Sequence, residues 1–163
     1  MIKPIQLTVL PLTRTQAEAI LTWRYSAPYD FYNPPPKSQE VIDNLLNTKW
    51  GFHGVSLQGD FIGYASYGKD GQLLGGHYVD DALDIGLGMR PDLTGQGLGP
   101  VFAEAIFSFA ANRFSPAALR LTVAKFNARA LRLYIKLGFR EQSMFWHNQT
   151  QYKIMLRNYP KES

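Results

Sequence analysis

A glycine-rich segment in the middle of the chain limits the possible folds more than any other feature. Residues 84–103 have the pattern of an apolar strand, a turn containing Gly95, Gly97 and Gly99, and a helix starting at Pro100. Proline suits the first helical position, where its missing N–H costs no hydrogen bond. A helix start presents unpaired backbone N–H groups and the positive end of the helix dipole. The segment therefore predicts an anion site built from backbone groups.

The spacing of these glycines excludes two common phosphate-binding motifs. The Gly-x-Gly-x-x-Gly fingerprint of dinucleotide-binding folds would require a glycine where the chain has Phe102. A nucleoside triphosphate loop requires Gly-Lys followed by Ser or Thr, which the chain does not contain. A glycine-rich turn can also have a purely structural role. A second motif is therefore needed to distinguish an anion-binding loop from an ordinary turn.

The second motif is Asn-Ala-Arg-Ala-Leu-Arg-Leu-Tyr-Ile-Lys-Leu-Gly-Phe, residues 127–139. Together with Thr-Gly-Gln-Gly-Leu-Gly at residues 94–99, it resembles the GNAT family of N-acetyltransferases. That family has a pyrophosphate loop of the form Arg/Gln-x-x-Gly-x-Gly/Ala, followed by a helix with Asn-x-x-Ala-x-x-x-Tyr-x-x-x-Gly-Phe. The resemblance spans residues 52–156. One position departs from it, because Thr94 replaces the family's Arg or Gln and removes a side-chain contact to the cofactor.

The resemblance implies the GNAT fold, a mixed α/β fold of the α+β type with a central, mostly antiparallel twisted sheet flanked by helices. With 163 residues, the chain suits one domain, 1–163. The expected helices are 13–23, with a capping box of Thr13 and Gln16, then 38–47, 100–112 and 128–137. The expected strands are 4–10, 52–58, 60–67, 81–89, 119–123, 140–146 and 151–156.

Composition removes several function classes. The chain has no cysteine, which excludes disulfides, thiolate metal sites and a cysteine nucleophile. His53, His77 and His147 are scattered singly, so we predict no metal site. The net charge of +4 is dispersed, which favours attraction of a polyanionic cofactor over nucleic acid binding. Without a secretory signal or a long apolar run, the sequence predicts a cytoplasmic protein that makes no membrane contact.

The resemblance implies acetyl-CoA as the cosubstrate and direct attack of an amine on the thioester, without a covalent intermediate. The acceptor is either a protein or peptide N-terminus or a small-molecule amine such as a polyamine or aminoglycoside. The chain resembles the ribosomal-protein alanine acetyltransferase branch more than the histone branch. The alternative is a non-catalytic CoA-binding module that acts as a sensor or scaffold.

The resemblance also assigns a cofactor site. Backbone N–H groups of the loop would bind the pyrophosphate, and the preceding strand would bind pantetheine and supply an oxyanion donor. Glycines in that strand, at positions 86 and 88, suggest a bulge or a close backbone approach. Asn127 would contact pantetheine, or it is a plain helix cap. The predicted cofactor-binding residues are Leu87, Gly88, Met89, Thr94, Gly95, Gln96, Gly97, Leu98, Gly99 and Asn127.

Two catalytic residues follow from the same resemblance. Tyr134 stands where the family places the general acid that protonates the CoA thiolate, and the alternative is a core aromatic residue. Asp84 occupies the strand position of the base in some relatives, acting directly or through water, and the alternative is a surface carboxylate at a strand edge. Its rivals nearby in the sequence are His77, Asp80 and Asp81.

The acceptor site is expected in the first helix and the aromatic, proline-rich loop after it. Long loops on a rigid scaffold often carry recognition, although a loop this aromatic also suits packing on the core. Arg24 or Asp30 could select a charged acceptor. The predicted acceptor-binding residues are Trp23, Arg24, Tyr29 and Tyr32. On the last hairpin, Phe145 and Trp146 suggest a homodimer or belong to the core.

Overall fold

The computed structural model describes residues 6–79 and 81–159. The helices are α1 (Arg14–Ile20), α2 (Gln39–Leu46), α3 (Gly99–Phe114) and α4 (Ala128–Lys136). The strands are β1 (Leu7–Pro11), β2 (Phe52–Leu57), β3 (Asp60–Tyr67), β4 (Leu83–Met89), β5 (Ala118–Ala124), β6 (Arg140–His147) and β7 (Thr150–Asn158).

The strands of the described residues follow the order β1-β2-β3-β4-β5-β7-β6 in one sheet. Pairing is antiparallel between β1 and β2, between β5 and β7, and between β6 and β7. The parallel pair is β4 with β5, whose register joins Leu83 to Leu119 and Asp84 to Arg120. The predicted mixed α/β fold with a mostly antiparallel sheet is therefore confirmed.

Several element ends differ from the sequence prediction. Helix α1 has the predicted capping box of Thr13 and Gln16 but ends at Ile20 instead of Trp23. Its last turn tightens because the N–H groups of Thr22 and Trp23 bond back three residues. The final hairpin turns on Asn148 and Gln149 alone, both at positive φ, so β7 starts earlier than expected. The first strand was predicted from residue 4, but residues 4 and 5 lie outside the described residues.

Contacts divide the chain into two compact units. The first comprises residues 6–65 and 87–106 of the described chain. It holds a core cluster in which the buried side chains of Ala17, Leu21 and Ile42 bring α1 against α2. In the same unit, the ring of Trp23 stacks on Phe61 and Tyr64, with centroids 5.5 and 6.1 Å away.

The second unit comprises residues 66–79, 81–86 and 107–159. Many of its fully buried side chains come from α3, β5 and β7, among them Phe107, Leu119, Leu121, Ile154 and Met155. Burying one such side chain contributes about 1.5–3 kcal/mol. The single domain over residues 1–163 stays a prediction. No helix in the described residues is long and apolar enough to cross a membrane.

Candidate active site

The glycine-rich loop, residues 94–99, leads directly into α3. Gly95 and Gly97 have φ angles of 75° and 81°, a conformation that residues with a side chain rarely adopt. A Cβ atom built on Gly97 would meet nothing within 4 Å, so the loop is open there. Within the described residues, the N–H groups of Gly97, Leu98 and Gly99 have no hydrogen-bond acceptor. Three free donors at an open helix start fit a pyrophosphate group.

Two side chains predicted to bind the cofactor instead form hydrogen bonds with the backbone just before the loop. The hydroxyl of Thr94 donates to the carbonyl oxygen of Pro91 at 2.8 Å. The side-chain amide of Gln96 donates to the carbonyl oxygen of Asp92 at 2.7 Å. These bonds stabilise the path of the loop, so its remaining donors are mainly backbone N–H groups.

Arg90 fixes the start of this loop, a role that the sequence analysis missed. Its Nη1 donates to Asp60 Oδ1 at 3.1 Å and to the carbonyl oxygen of Phe61 at 2.8 Å. Its Nε donates to Asp92 Oδ1 at 2.7 Å. Through this hydrogen bond, Arg90 holds the pKa of the Asp92 carboxyl below its usual range. The available signal was the Arg-Pro-Asp sequence that follows the strand.

The register of β4 against β3 decides which way its backbone groups point. Hydrogen bonds run from the N–H of Gly68 to the carbonyl of Asp84 and from the N–H of Arg90 to the carbonyl of Ile62. In an antiparallel ladder, successive residues direct their backbone groups to opposite edges. The N–H and C=O groups of Gly88 therefore point toward β3, whereas those of Leu87 and Met89 point away from it.

The glycines of β4 allow a close approach and do not form a bulge. Both hydrogen bonds above have the same register, so no extra residue interrupts the strand between them. A Cβ atom on Gly88 would lie 2.5 Å from the ring of Tyr64. A Cβ atom on Gly86 would lie 2.6 Å from the hydroxyl oxygen of Ser66. Side chains of β3 therefore cover the bare backbone of β4.

Tyr25 occupies part of the backbone edge predicted to bind the cofactor. Its hydroxyl donates to the carbonyl oxygen of Met89 at 2.6 Å. Burial, and secondarily the neighbouring Tyr64, raises the pKa of Tyr25 well above its ordinary value, so the phenol keeps its proton. Of the predicted pantetheine contacts, the carbonyl of Met89 is thus already engaged.

Tyr134 lies on α4 with only 8% of its surface exposed. Its ring meets those of Phe107 and Phe139 edge-on, at 6.4 and 6.0 Å between centroids. This packing agrees with the alternative of a core aromatic residue. It also holds the ring in one orientation, as a positioned general acid requires.

Asn127 is the N-cap of α4. Its side-chain oxygen accepts a hydrogen bond from the N–H of Ala130 at 3.2 Å. The helix-cap alternative is therefore realised. A contact between Asn127 and pantetheine stays a prediction.

Asp84 forms a buried ion pair with Arg120. Its two carboxylate oxygens accept from Arg120 Nε at 2.6 Å and from Nη2 at 2.7 Å, and the second also accepts from Gln72 at 2.8 Å. The guanidinium lies over the ring of Tyr78, 4.9 Å from its centroid. Asp84 is only 4% exposed, so the alternative of a surface carboxylate is wrong. The same enclosure disfavours direct proton transfer from a bound amine.

The predicted acceptor-binding residues have different surroundings. Trp23 is 8% exposed and stacked in the core. Arg24 is exposed and donates to the carbonyl oxygens of Leu21 and Trp23, which closes the end of α1. Tyr29 is half-buried, whereas Tyr32 is 39% exposed. Tyr32 meets the exposed ring of Phe31 edge-on at 5.1 Å.

The remaining predicted residues are the rival candidates for the base and the two aromatic residues of the last hairpin. His77 and Asp81 are exposed, and Asp80 lies outside the described residues. Trp146 is 66% exposed, whereas Phe145 is half-buried and stacks on Tyr152 at 5.7 Å. No group of three His, Asp or Glu side chains in the described part of the chain is arranged to hold a metal ion.

Comparison with known proteins identifies the family. Residues 17–139 match the acetyltransferase (GNAT) family. The fold resembles that of a spermidine N-acetyltransferase from Vibrio cholerae in complex with CoA and spermine, with 19% identity and a TM-score of 0.75 over 96% of this chain and 97% of that one. It also resembles the aminoglycoside acetyltransferase AAC(6')-Ib in complex with coenzyme A, with 18% identity and a TM-score of 0.75 over 94% of this chain and 95% of that one.

No curated protein matches the chain in sequence. The family match nevertheless covers both motifs, residues 94–99 and 127–139. The chain therefore belongs to the GNAT acetyltransferase family and is an acyltransferase that uses acetyl-CoA.

Proposed function

We propose that the protein N-acetylates a primary amine by direct transfer from acetyl-CoA in a ternary complex. The observation that carries this proposal is the open glycine-rich loop, whose N–H groups at Gly97, Leu98 and Gly99 lack acceptors within the described residues. The pyrophosphate of CoA is an anion of the kind that such a helix start binds. The absence of cysteine supports direct transfer over an acyl-cysteine intermediate.

In this proposal the cofactor is held mainly by backbone groups. Residues 95–99 bind the pyrophosphate, while the side chains of Thr94 and Gln96 keep the loop in shape. The N–H groups of Leu87 and Met89 point away from β3, so we assign them to pantetheine and to the thioester oxygen. Gly88 gives this stretch its close packing against Tyr64. Asn127 combines its cap with a pantetheine contact.

We assign proton transfer to the departing thiolate to Tyr134. The reference pKa of a phenol is about 10 and that of a thiol about 8.5, so the transfer is mildly uphill in water. A fixed ring and a site that excludes water would reduce this difference. Asp84 is a weaker candidate for the base than the sequence suggested, because Arg120 and Gln72 occupy both of its oxygens.

The acceptor is a primary amine on either a small molecule or a peptide. The Vibrio cholerae relative acts on spermidine and AAC(6')-Ib on aminoglycosides, as their names state, and both classes are cationic amines. We place acceptor recognition on the loop after α1, where Phe31 and Tyr32 are exposed. Arg24 and Tyr29 precede these two residues in the same segment, whereas Trp23 contributes mainly to the core.

The direct test supplies acetyl-CoA labelled in the acetyl group with spermidine, an aminoglycoside, or a peptide that begins with alanine. Mass spectrometry of each mixture identifies the labelled product. We expect label on the nitrogen of at least one acceptor. Acetyl-CoA binding without any labelled amine, in this panel and in desalted cell extract, would contradict the proposal and favour a CoA-binding sensor or scaffold. Cytoplasmic location and a homodimer through the last hairpin stay predictions.

A further inference from the structure

The loop between α1 and α2 is closed at its base by two hydrogen bonds of Tyr25. The backbone N–H of Tyr25 donates to Asn33 Oδ1 at 2.7 Å, which joins the two ends of the segment 25–33. The phenol of Tyr25 donates to the carbonyl oxygen of Met89 on β4 at 2.6 Å. One residue therefore closes the loop and attaches it to a strand 64 positions away in the sequence.

The chain on either side of this base is also fixed. Before it, the ring of Trp23 is buried and stacks on two aromatic rings of β3. After it, three consecutive prolines at 34–36 restrict the backbone that leads to α2. The remaining part of the loop, residues 26–32, is therefore held at both ends.

The tip of the loop presents side chains that suit a cationic amine. It turns through a short 3₁₀ helix, Tyr29–Tyr32. Within that helix, Phe31 is 48% exposed and Tyr32 is 39% exposed, and the carboxylate of Asp30 is exposed beside them in sequence. The faces of aromatic rings attract ammonium groups, and a carboxylate adds the opposite charge. Where this tip lies depends on how the base is attached.

The carbonyl of Met89 is the point of attachment. It points away from β3, and the pairing of β4 with β5 in the described residues stops at Asp84. The phenol of Tyr25 therefore supplies a hydrogen bond that a neighbouring strand supplies elsewhere in a sheet. In the proposed function, the N–H of Met89 binds the cofactor. Met89 thus carries the loop on its carbonyl and the cofactor on its N–H.

We propose that Tyr25 is a positioning residue that holds the acceptor loop against the cofactor-binding end of β4. This inference rests on the proposed function, because it concerns the amine site of the same reaction. The phenol acts through its hydrogen bond to Met89 and touches neither substrate. By fixing the base of the loop, it sets where the exposed tip presents the amine relative to the thioester.

Tyr25 is suited to this role and not to proton transfer. Burial, and secondarily the neighbouring Tyr64, raises the pKa of its phenol well above the ordinary value, which makes it a poor acid for a departing thiolate. Its proton is already engaged by the carbonyl oxygen of Met89. A phenol that stays protonated at neutral and mildly alkaline pH keeps the loop attached throughout that range.

Tyr25→Phe tests this assignment, because it removes the phenolic oxygen and keeps the ring. We expect KM for spermidine, or for whichever amine of the panel the wild type acetylates, to rise about 5–10-fold, the effect of losing one hydrogen bond that orders the loop. At saturating amine, kcat is expected to stay close to the wild-type value, with an unchanged pH profile. Acetyl-CoA affinity, measured by calorimetric titration without amine, is also expected to stay unchanged.

A second pair of variants opens the base from its other end. Asn33→Ala removes the acceptor of the Tyr25 N–H and is expected to raise KM for the amine without changing acetyl-CoA affinity. Asn33→Asp keeps an oxygen that accepts this bond and is expected to show no rise in KM. In Tyr25→Phe/Asn33→Ala, the rise is expected to be smaller than the product of the single effects, because both changes release the same base.

Tyr152→Phe is the control. It removes the hydroxyl of another buried tyrosine, which lies on β7 and outside the loop. This variant is expected to match the wild type in amine KM, kcat and acetyl-CoA affinity.

A wild-type KM for the amine in Tyr25→Phe would overturn the assignment. A loss of acetyl-CoA affinity as large as the rise in amine KM would also overturn it, because the phenol would then support only the cofactor strand. An altered pH profile of kcat would overturn it as well, because that would indicate proton transfer by Tyr25. A wild-type protein that binds acetyl-CoA but acetylates no amine would instead refute the proposed function itself, and this inference with it.

Discussion

At the scale of single residues, Tyr134 and Asn127 each have a structural role besides the role that their motif implies. Tyr134 packs against Phe107 and Phe139, and Asn127 caps α4. These contacts orient the two side chains, so a structural role does not compete with a catalytic one. Substitutions that keep the packing can therefore separate the two.

Tyr134→Phe removes the phenolic oxygen and keeps the ring. We expect kcat to fall by about 10²–10⁴-fold, the range for loss of a general acid, with acetyl-CoA affinity nearly intact. Tyr152→Phe is the matched control, because Tyr152 is also a buried tyrosine packed against an aromatic ring. Steady-state kinetics and calorimetric titration with acetyl-CoA measure both quantities. Unchanged turnover in Tyr134→Phe would remove this residue from the mechanism.

Gly97→Leu tests the loop. The chain offers a close control in Gly59, whose φ of 86° and open surroundings match those of Gly97. Both substitutions place a side chain in the left-handed region, at a cost of about 1–2 kcal/mol. Only Gly97→Leu is expected to abolish acetyl-CoA binding, because its side chain would occupy the space of the pyrophosphate. Equal acetyl-CoA affinity in the two variants would show that the loop is only structural.

At the scale of elements, β4 shows what the sequence can and cannot predict. Its strand, the following loop and the start of α3 follow from alternating apolar residues, glycines and Pro100, all of which are local signals. The partner of Asp84 is not a local signal. Arg120 comes from β5 and meets Asp84 only through the parallel register of the two strands.

The ion pair of Asp84 and Arg120 leads to a prediction about stability. Asp84→Ala leaves a buried guanidinium without its carboxylate, which we expect to lower the free energy of unfolding by about 3–5 kcal/mol. The control is Asp43→Ala, because Asp43 pairs with Arg14 at 3.6 Å on the surface, with both side chains more than half exposed. We expect a loss of less than about 1 kcal/mol there. Urea unfolding measures both, and similar losses would show that the buried pair contributes little.

At the scale of the whole molecule, the fold class was predictable because two motifs in a fixed order identify the family. The sequence motifs at residues 94–99 and 127–139 needed no tertiary information, and the family match covers both. The acceptor side was less predictable. Aromatic composition alone could not separate Trp23, which packs in the core, from Tyr32, which is exposed, since burial depends on contacts with distant strands.

The most direct test of the central claim is two-substrate kinetics combined with intact-protein mass spectrometry during turnover. Direct transfer in a ternary complex predicts an N-acetylated amine, intersecting double-reciprocal lines and an enzyme mass that never increases by an acetyl group. Parallel lines, together with an enzyme that carries one acetyl group when the amine is withheld, would contradict the account.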